Sequence, residues 1–331
     1  MLLTHSSIAA FKTCRRRYQY RYVDGLELRD RPIYYDFGTA IHLGLAEFYH
    51  GKGVGEILTA IDAYFQENAP AADDSDRLTA WMGAKELAIG MMKGYIANYQ
   101  GRDSFKVLEI EKPFELPILD VRGDKYEGMI LAGKVDGIAE DNGLWILEHK
   151  TAKTIDGRYE RKLTLDAQSM IYLEAMERVY GKPFRGIIYN VLAKAVPESP
   201  KILKNGSLSK AKDQNTTPEL YSMAVTENNL NPADYAEFIA YLEANRKQYF
   251  FRENLTFSQE EREEWRVELW QIARDIETAT ETGAFYRNTA QCVGFGTCPY
   301  LDICTAPDKE FVISNSYEHK EAHSELQDGA A

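Results

Sequence analysis

The stretch that decides the fold is residues 131–153, which read LAGKVDGIAEDNGLWILEHKTAK. It contains two apolar runs rich in strand-forming residues, so it predicts two neighbouring strands. Asp136 belongs to the first run, and Glu148 and Lys150 belong to the second. Side chains two residues apart on a strand share one face, so Glu148 and Lys150 point the same way. If the two strands pair, Asp136 meets Glu148 across the ladder.

This arrangement would place two carboxylates beside an ammonium group. Carboxylate oxygens bind a hard divalent cation, which can activate water and neutralise phosphate charge. A lysine beside such a cation can orient the water or stabilise the transition state. The set therefore suits hydrolysis of a phosphodiester. By itself the pattern also fits a half-buried strand that carries charges at its edge.

Two further motifs flank this stretch. Upstream, in FGTAIHLGLAEFYH, Gly38 and His42 frame a turn that enters an amphipathic helix. Downstream, in DAQSMIYLEAM, Gln168 and Tyr172 are four residues apart and share one face of a helix. The motifs G-x-x-x-H, G-x-x-D, E-x-K and Q-x-x-x-Y, in this order, resemble the RecB/AddB-type branch of the PD-(D/E)XK nuclease superfamily. In this chain they are Gly38 to His42, Gly133 to Asp136, Glu148 to Lys150 and Gln168 to Tyr172.

The resemblance implies a divalent-metal centre. Asp136 and Glu148 would hold Mg²⁺ or Mn²⁺, with the main-chain carbonyl of His149 as a further oxygen ligand. His42 would be an additional ligand, and its imidazole would shift the preference toward Mn²⁺. A capping or packing role is the alternative for His42.

The resemblance also implies a catalytic set, made of Asp136, Glu148, Lys150, Gln168 and Tyr172. Lys150 would position the attacking water and stabilise charge that develops on the phosphoryl oxygens. Gln168 and Tyr172 would face the site from the adjacent helix, where they contact substrate or organise Lys150. Glu109 and Glu111 are expected to form one solvated strand face. No role is assigned to the remaining histidines, which are His5, His50, His319 and His323.

The chain has four cysteines, and three of them lie close together near the C-terminal end. Together with the segments FKTCRRRY and CPYLDIC, this layout resembles the iron–sulfur members of the same nuclease branch. The resemblance implies one [4Fe–4S] cluster that clasps the two ends of the domain and is held by Cys14, Cys292, Cys298 and Cys304. The chain departs from the family pattern in having Arg15 after the first cysteine and a longer gap in CVGFGTC. A structural Zn²⁺ site made by the same four thiolates is the alternative.

Length and composition agree with a soluble enzyme. With 331 residues and 44% hydrophobic content, the chain can bury a large core, and no apolar run reaches membrane-spanning length. The net charge of −12 is unusual for a nucleic-acid binder. Binding depends on local patches, however, and basic residues alternate with tyrosines around the first cysteine. Such a patch can contact phosphates and stack on unpaired bases.

The order of elements predicts an α/β fold with a mixed central sheet flanked by helices, which the resemblance describes as a restriction-endonuclease-like core. Helices are expected over residues 4–22, 38–50, 55–68, 76–99, 165–180, 232–250 and 258–282, and strands over 105–118, 184–194 and the two runs above. The expected regions are an iron–sulfur clasp (1–30 and 283–305), a helical region (31–103), the nuclease core (104–194), a basic loop (195–218), a second helical region (219–282) and a mobile acidic tail (306–331).

The resulting hypothesis is a Mg²⁺- or Mn²⁺-dependent deoxyribonuclease, an exonuclease of recombination, repair or replication. The expected partner is DNA, with single-stranded DNA or single-stranded ends favoured, and no membrane. A homo-oligomer or complexes with recombination or replication proteins are compatible with it, as is a cytoplasmic location in a bacterial or phage-infected cell. The alternative is a non-catalytic DNA-binding or scaffold subunit that retains the nuclease fold.

Overall fold

A long strand in the middle of the chain organises the sheet. The computed structural model describes residues 1–70, 74–245, 247–294, 296–323 and 326. Strand β4 (Lys125–Glu140) forms an antiparallel hairpin with β3 (Lys106–Leu119), and the two strands pair along nearly their whole length. Strand β5 (Leu144–Ala152) pairs antiparallel with the C-terminal end of β4, and β1 (Leu2–Leu3) pairs parallel with residues nearer its start. Since β3 occupies one edge of β4, β1 and β5 share the other.

Two more strands extend the sheet beyond β5. Strand β6 (Phe184–Ala193) is parallel to β5, and β7 (Phe250–Leu255) is antiparallel to β6, which gives a mixed six-stranded sheet. β5 and β6 are buried over most of their length, as expected for strands covered on both faces. The prediction of a mixed α/β sheet flanked by helices is confirmed.

One face of the sheet is covered by a bundle of α3 (Ile33–Tyr49), α4 (Val54–Glu67) and α5 (Ser75–Tyr99). Its apolar core reaches the sheet at Leu192. Gly44 allows α3 to approach α4 closely, because a Cβ at this position would lie 2.8 Å from the Cδ1 atom of Ile61. The expectation of a turn between Gly38 and His42 is wrong: both lie within α3, which begins directly after Pro32. The proline ends the preceding segment and sets the start of the helix.

The other face carries α1 (His5–Thr13), α6 (Gly157–Leu163), α7 (Ala167–Tyr180) and α10 (Gln259–Thr282). The segment containing α6 and α7 connects the parallel strands β5 and β6, a connection that requires a crossover. α10 is tied to α7 by ion pairs of Arg262 with Glu177 and of Arg266 with Glu174. This packing fixes the face of α7 that carries Gln168 and Tyr172.

The region between β6 and α10 differs in part from the prediction. Residues 195–217 contain no helix, in keeping with the expected loop, and α8 (Pro218–Glu227) follows. The helix expected over residues 232–250 is wrong in its length: α9 covers only Ala236–Ala244, and β7 begins at Phe250. The segment FFRENL has no clean alternation of apolar and polar residues. Its strand conformation follows from pairing with β6 rather than from a local pattern.

The two ends of the chain meet on one side of the molecule. The helix predicted over residues 4–22 is interrupted at Cys14, which is extended, and continues as α2 (Arg15–Tyr18) and a π-helical turn, Gln19–Val23. Strand β2 (Leu26–Leu28) then pairs antiparallel with β8 (Tyr317–His319) near the opposite end of the chain. The cysteine segment leads to β8 through α11 (Leu301–Thr305) and α12 (Lys309–Ser316).

The tail over residues 306–331 was expected to be mobile, and for residues 309–319 this expectation is wrong. These residues form α12 and β8, and Tyr317 is only 2% exposed in an apolar cluster with Leu26 and Tyr300. The packing of Tyr317 against Leu26 and Tyr300 orders this segment in spite of its acidic composition. Residues 324, 325 and 327–331 lie outside the described residues. Within the described part of the chain, none of the helices has the length and apolar composition needed to cross a bilayer.

Candidate active site

Three carboxylates form a row across three neighbouring strands. The pairs Gly137↔Leu147 and Ile138↔Ile146 set the register of β4 and β5, and one further step places Asp136 opposite Glu148. On the other edge of β4, the pairs Ile110↔Gly137 and Lys112↔Val135 bracket Glu111 opposite Asp136. Side chains directly opposite each other on a sheet share a face. Glu111, Asp136 and Glu148 therefore converge from β3, β4 and β5.

Asp136 is held ionised at the centre of this row. Its Oδ1 atom lies 3.2 Å from Nδ1 of His42, and its Oδ2 atom accepts a hydrogen bond of 2.7 Å from the backbone N–H of His149. Burial acts to raise the pKa of Asp136, but the neighbouring histidines and the backbone donor outweigh it and hold that pKa well below its usual range. α3 thus brings His42 to the carboxylate from one side, and β5 supplies a donor from the other.

Glu148 is nearly inaccessible, with 2% exposure, and only one of its oxygens is satisfied. Oε1 accepts a hydrogen bond of 2.6 Å from Nζ of Lys150, whereas Oε2 is buried and has no hydrogen-bond partner among the described residues. Burial raises the pKa of Glu148 to about 7, the charge of Asp136 adds to the rise, and Lys150 opposes it. An unpaired buried acceptor costs about 1–3 kcal/mol or more, so the site fits a cation at Oε2.

Lys150 is fixed between a strand and a helix. Besides Glu148, its Nζ atom donates to Oε1 of Gln168 at 2.5 Å, and Nε2 of Gln168 donates to the hydroxyl of Tyr172 at 2.7 Å. Burial acts to lower the pKa of Lys150, but the Glu148 carboxylate dominates and holds it above its usual range. The ammonium group is therefore charged, oriented and close to the carboxylates. The position of Gln168 is set by the N-terminus of α7, where Asp166 caps its backbone N–H.

A buried polar network supports the site from behind. Nδ1 of His149 lies 2.9 Å from Nδ2 of Asn190, and the ring of Tyr49 stacks on His149 at a centroid distance of 5.6 Å. Asn190 in turn donates to the hydroxyl of Tyr95, which accepts a hydrogen bond from Arg252. Burial lowers the pKa of His149 to about 3, so its ring is neutral. The network fixes the residue whose backbone N–H binds Asp136.

Glu111 is a site residue that sequence reasoning missed. One ligand atom each of His42, Glu111 and Asp136 lies within 4.8 Å of the others, a spacing that can hold a metal ion. Glu111 has a φ of 53°, a strained conformation for a residue with a side chain, and it forms an ion pair with Lys134. The expectation that Glu109 and Glu111 form only a solvated strand face is therefore wrong for Glu111. Glu109 pairs with Lys112 instead.

A comparison with known families agrees with this arrangement. Residues 2–305 match the family model of the PD-(D/E)XK nuclease superfamily. The chain belongs to this superfamily. PD-(D/E)XK nucleases use divalent metals, and the donors found here, one imidazole and several carboxylates, suit Mg²⁺ or Mn²⁺. In this PD-(D/E)XK chain, His42, Glu111, Asp136 and Oε2 of Glu148 are the groups that could hold such an ion.

Two solved structures are similar to this PD-(D/E)XK chain at low sequence identity. SSO0001 has 12% identity and a TM-score of 0.33, with 93% of this chain and 86% of that chain covered. A candidate exonuclease from Eubacterium rectale has 11% identity and a TM-score of 0.32, with 78% and 86% covered. No match is found among curated proteins.

The structure brings together most of the site residues that the sequence predicts for this PD-(D/E)XK chain. His42 contacts Asp136 directly. Lys150 contacts both Glu148 and Gln168, and Gln168 in turn contacts Tyr172. The backbone N–H of His149, not its carbonyl, makes the observed contact with Asp136. Its carbonyl as a metal ligand stays a prediction.

The four cysteines do not form a compact ligand group. Among the described residues, the group of His42, Glu111 and Asp136 is the one whose ligand atoms lie within 4.8 Å of each other, and no cysteine belongs to it. A zinc ion binds thiolates at about 2.3 Å and so holds its sulfurs within about 4 Å of each other. The thiols as placed therefore do not fit the zinc alternative. The chain ends nevertheless meet at Cys14, whose Sγ accepts a hydrogen bond from the backbone N–H of Asn288 at 3.3 Å.

Replacing Glu111 with glutamine should weaken Mn²⁺ binding about tenfold or more, because a carboxylate that faces His42 and Asp136 loses its charge. Isothermal titration calorimetry with Mn²⁺ measures the effect directly. Glu109→Gln is the matched control, because this neighbour on β3 lies outside the ligand group. Equal Mn²⁺ affinities for Glu111→Gln and the unaltered protein would remove Glu111 from the metal site.

Binding of the metal should release a proton below neutral pH. In the metal-free protein the raised pKa of Glu148, about 7, means that the carboxyl is protonated at pH 6 and must ionise to bind a cation. Since this folded-state pKa lies above the usual value of 4.5, the metal-free protein should lose stability as pH rises through about 7. Calorimetry at pH 6 in two buffers of different ionisation enthalpy measures the release, which Glu148→Gln should reduce. Burial acts to lower the pKa of His42, but the Asp136 carboxylate outweighs it and raises that pKa, so the imidazole of His42 also gives up a proton when it binds the metal. Buffer-independent heats at pH 6 would contradict the assignment.

Proposed function

We propose that the chain is a Mg²⁺- or Mn²⁺-dependent deoxyribonuclease of the RecB/AddB-type branch, and that it acts as an exonuclease in DNA recombination, repair or replication. The observation that carries the nuclease activity is the placement of Lys150. Its ammonium group is held between Glu148 and Gln168 while the second oxygen of Glu148 stays unpartnered within the described residues. A lysine that merely paired with a strand carboxylate would not need this arrangement.

Each group has a role that its surroundings support. A bound divalent ion would supply Lewis-acid chemistry and a water of lowered pKa. Asp136, ionised at the centre of the row, and Glu148 provide the negative charge that holds the cation. Lys150 faces the same space with a fixed positive charge, which can stabilise the negative charge that builds on the phosphoryl oxygens. Gln168 and Tyr172 hold this ammonium group in place.

The choice of an exonuclease and of the RecB/AddB branch rests on the order of the four sequence motifs. This order places His42 on α3 and the Gln168–Tyr172 pair on α7, so that two helices on opposite faces of the sheet reach one site. Helices on both sides of the site leave less room for a continuous duplex than for a single strand. The choice of an exonuclease over an endonuclease rests on the resemblance.

The test uses purified protein, Mn²⁺ and end-labelled linear and circular DNA, each in single- and double-stranded form. Degradation of linear single-stranded DNA, with circular single-stranded DNA left intact, is the expected result. Cleavage of the circles would replace the exonuclease by an endonuclease. Binding of every DNA without cleavage in either metal would favour the non-catalytic scaffold subunit.

We also propose that the four cysteines hold a [4Fe–4S] cluster that clasps the chain ends. The cysteine segment is already bound to the N-terminal region through Cys14 and Asn288, and Cys298 and Cys304 pack against the buried Tyr300 and Tyr317. Each thiolate of a cubane binds a different iron, so the sulfurs stand farther apart than around one zinc ion. Burial raises the pKa of the Cys298 thiol, and the neighbouring thiols of Cys304 and Cys14 add to the rise. Three of the four sulfurs are therefore near one another without touching, a spacing compatible with such a cluster.

Protein purified without oxygen should be brown and contain about four iron atoms per chain. Cys14→Ala should lower the melting temperature, because a cross-link between residue 14 and residues near 300 is worth up to about 5 kcal/mol in loop-closure entropy. Thr13→Ala, next to it, is the control and should retain the iron. Colourless protein with one zinc ion per chain would refute the cluster and leave the nuclease proposal intact.

A further inference from the structure

A cavity of about 450 Å³ lies where the two ends of the chain meet, outside the metal site. Its walls come from α1, the π-helical turn, β2, the start of α3 and the cysteine segment, and the volume is within the ~300–1,000 Å³ typical of ligand sites. The catalytic residues described above do not line it. Its lining mixes charged and aromatic side chains with apolar ones, as ligand sites do.

The cavity is positively charged in a chain whose net charge is −12. Arg17, Arg21, Arg31 and Lys320 line it, and Glu27 is the acidic residue among the lining side chains. Glu27 contacts both Arg21 at 3.7 Å and Lys320 at 3.1 Å, so one carboxylate serves two cations. Arg31 pairs with a residue outside the lining. The lining therefore carries an excess of positive charge.

Two arginines in the cavity have unused donors. The Nη1 atom of Arg21 is buried without a hydrogen-bond partner among the described residues. Arg17 has no carboxylate within ion-pair distance in the part of the chain that the structure describes. A half-buried guanidinium with free N–H groups is costly unless an anion completes it. Guanidinium groups bind phosphate oxygens in pairs, so the missing partner is best matched by a phosphate.

Aromatic rings stand beside these cations. Tyr35 is 43% exposed at the rim of the cavity, and the guanidinium of Arg31 lies 5.6 Å from its ring centroid. Tyr22 forms a similar contact with Arg21, also at 5.6 Å. Alternating arginines and tyrosines match the alternating phosphates and bases of an unpaired strand, since phosphates pair with arginine and bases stack on rings.

The cavity lies next to a smaller one that reaches Gln168 and Tyr172, and the two share wall residues at the N-terminus of α1. His5 and Ser6 line this cavity, and they also line a smaller one, of about 150 Å³, together with Gln168 and Tyr172. His5 further contacts Asp166, the cap of the helix that carries Gln168. His5 and Ser6 therefore stand between the basic cavity and Gln168, the residue that contacts Lys150.

We propose that this cavity binds unpaired nucleotides of the DNA strand being cleaved, with Arg17 and Arg21 on its phosphates and Tyr35 on a base. The inference rests on the proposed function, since it names the part of the substrate that lies away from the metal. A strand fits better than a free nucleotide because a second cavity, which shares His5 and Ser6 with this one, lies on the side of Gln168 and Tyr172 and offers room for a further nucleotide.

The test compares two substrates. Bis(p-nitrophenyl) phosphate is a small phosphodiester that can reach the metal site without filling the cavity, and a 20-nucleotide oligo(dT) can fill both. The double variant Arg17→Ala/Arg21→Ala should raise KM for oligo(dT) about thirtyfold and leave kcat/KM for the small substrate unchanged. For oligo(dT) binding, the slope of log K against log salt concentration should be shallower by about 1.4 in the double variant than in the unaltered protein, since each lost phosphate contact removes ~0.7.

Tyr35 provides a second variant that does not depend on buried arginines. Tyr35→Ala should weaken oligo(dT) binding about tenfold, and Tyr35→Phe should bind as the unaltered protein does, because the ring stacks and the hydroxyl does not. Arg122→Ala, which removes an exposed arginine of the β3–β4 turn, is the charge-matched control. For oligo(dT), Arg122→Ala should change KM and the salt slope less than the replacement of a single cavity arginine does.

The outcomes separate the cavity from the metal site. If the unaltered protein cleaves neither substrate, the proposed function fails. If it cleaves both, and Arg17→Ala/Arg21→Ala keeps the KM and salt slope of the unaltered protein on oligo(dT), the cavity is not a strand site. Thymidine 5′-monophosphate that competes as tightly as oligo(dT), and loses this ability in the double variant, would identify a free-nucleotide site and overturn the strand proposal.

Discussion

Replacing Glu148 with glutamine should reduce the rate of DNA cleavage by at least about a thousandfold, which is the largest effect expected for any single residue. Glutamine keeps the shape and can still accept the hydrogen bond from Lys150, but it removes the charge at the buried and unpartnered Oε2 atom. A weakly held or misplaced cation loses both its Lewis-acid effect and its ability to lower the pKa of water. Single-turnover cleavage of labelled single-stranded DNA at saturating Mn²⁺ measures the loss.

Binding of DNA should survive this substitution, because phosphate contacts elsewhere supply the affinity. Fluorescence anisotropy with the same DNA checks this point. Glu115→Gln, on the exposed side of β3, is the matched control and should cleave at the unaltered rate. If Glu148→Gln cleaved within a few-fold of that control, the candidate active site would be wrong even though the family assignment stands.

The part of the site that lies on one hairpin could be predicted from sequence. Glu148 and Lys150 are two residues apart on a strand, so their common face follows from strand geometry alone. Asp136 could be added because a short connection between β4 and β5 makes them antiparallel neighbours. His42 and Gln168 entered only through the resemblance, since no local rule says that α3 and α7 approach one hairpin.

Glu111 shows what local reasoning could not supply. Glu111 reaches the site only because of the register between β3 and β4. That register is set over a long hairpin and shifts at Val107/Glu109 and at Pro117/Leu119, so it cannot be counted off from the sequence. Only this register puts Glu111 opposite Asp136, and the backbone of Glu111 has a positive φ there. A glutamate, unlike a glycine, gives no sign in the sequence that it adopts such a conformation.

The same reason explains the missed elements at the sheet edge and the chain end. β7 and β8 are short, and their residues pair with strands far away in sequence, β6 and β2. Tyr317 shows the effect most clearly: it lies in an acidic tail, but it is buried against Leu26 and Tyr300. Composition measures the average of a segment, and one buried ring can fix a segment that its average describes as mobile.

The site contains two sets of contacts. One set surrounds Asp136, which would bind the metal, and the other surrounds Lys150, which would act on the substrate phosphate. Asp136 lies between His42 and the backbone N–H of His149, and none of these contacts involves Lys150. Lys150 contacts Glu148 and Gln168 instead. No hydrogen bond among these contacts joins the two sets, but Glu148 lies opposite Asp136 on the neighbouring strand, and the charge of Asp136 adds to the rise that burial causes in the pKa of Glu148. Substitutions in the two sets should consequently affect different kinetic quantities.

Replacing Lys150 with alanine should lower kcat about a hundredfold to a thousandfold while leaving the affinity for Mn²⁺ and KM for DNA nearly unchanged. The ammonium group is expected to act on charge that develops in the transition state, and the loss of one such donor typically costs this much in kcat. Titration of cleavage with Mn²⁺ distinguishes the two roles: the Mn²⁺ concentration that gives half of the maximal rate should rise in Glu148→Gln and stay unchanged in Lys150→Ala.

Lys150→Arg should not rescue the rate, although it keeps the positive charge. Nζ of Lys150 fits between Oε1 of Glu148 at 2.6 Å and Oε1 of Gln168 at 2.5 Å, and the larger planar guanidinium cannot occupy that space without moving α7. A charge in the wrong position stabilises the transition state poorly. Full activity of Lys150→Arg would mean that charge alone suffices, and the contact with Gln168 would then have no positioning role.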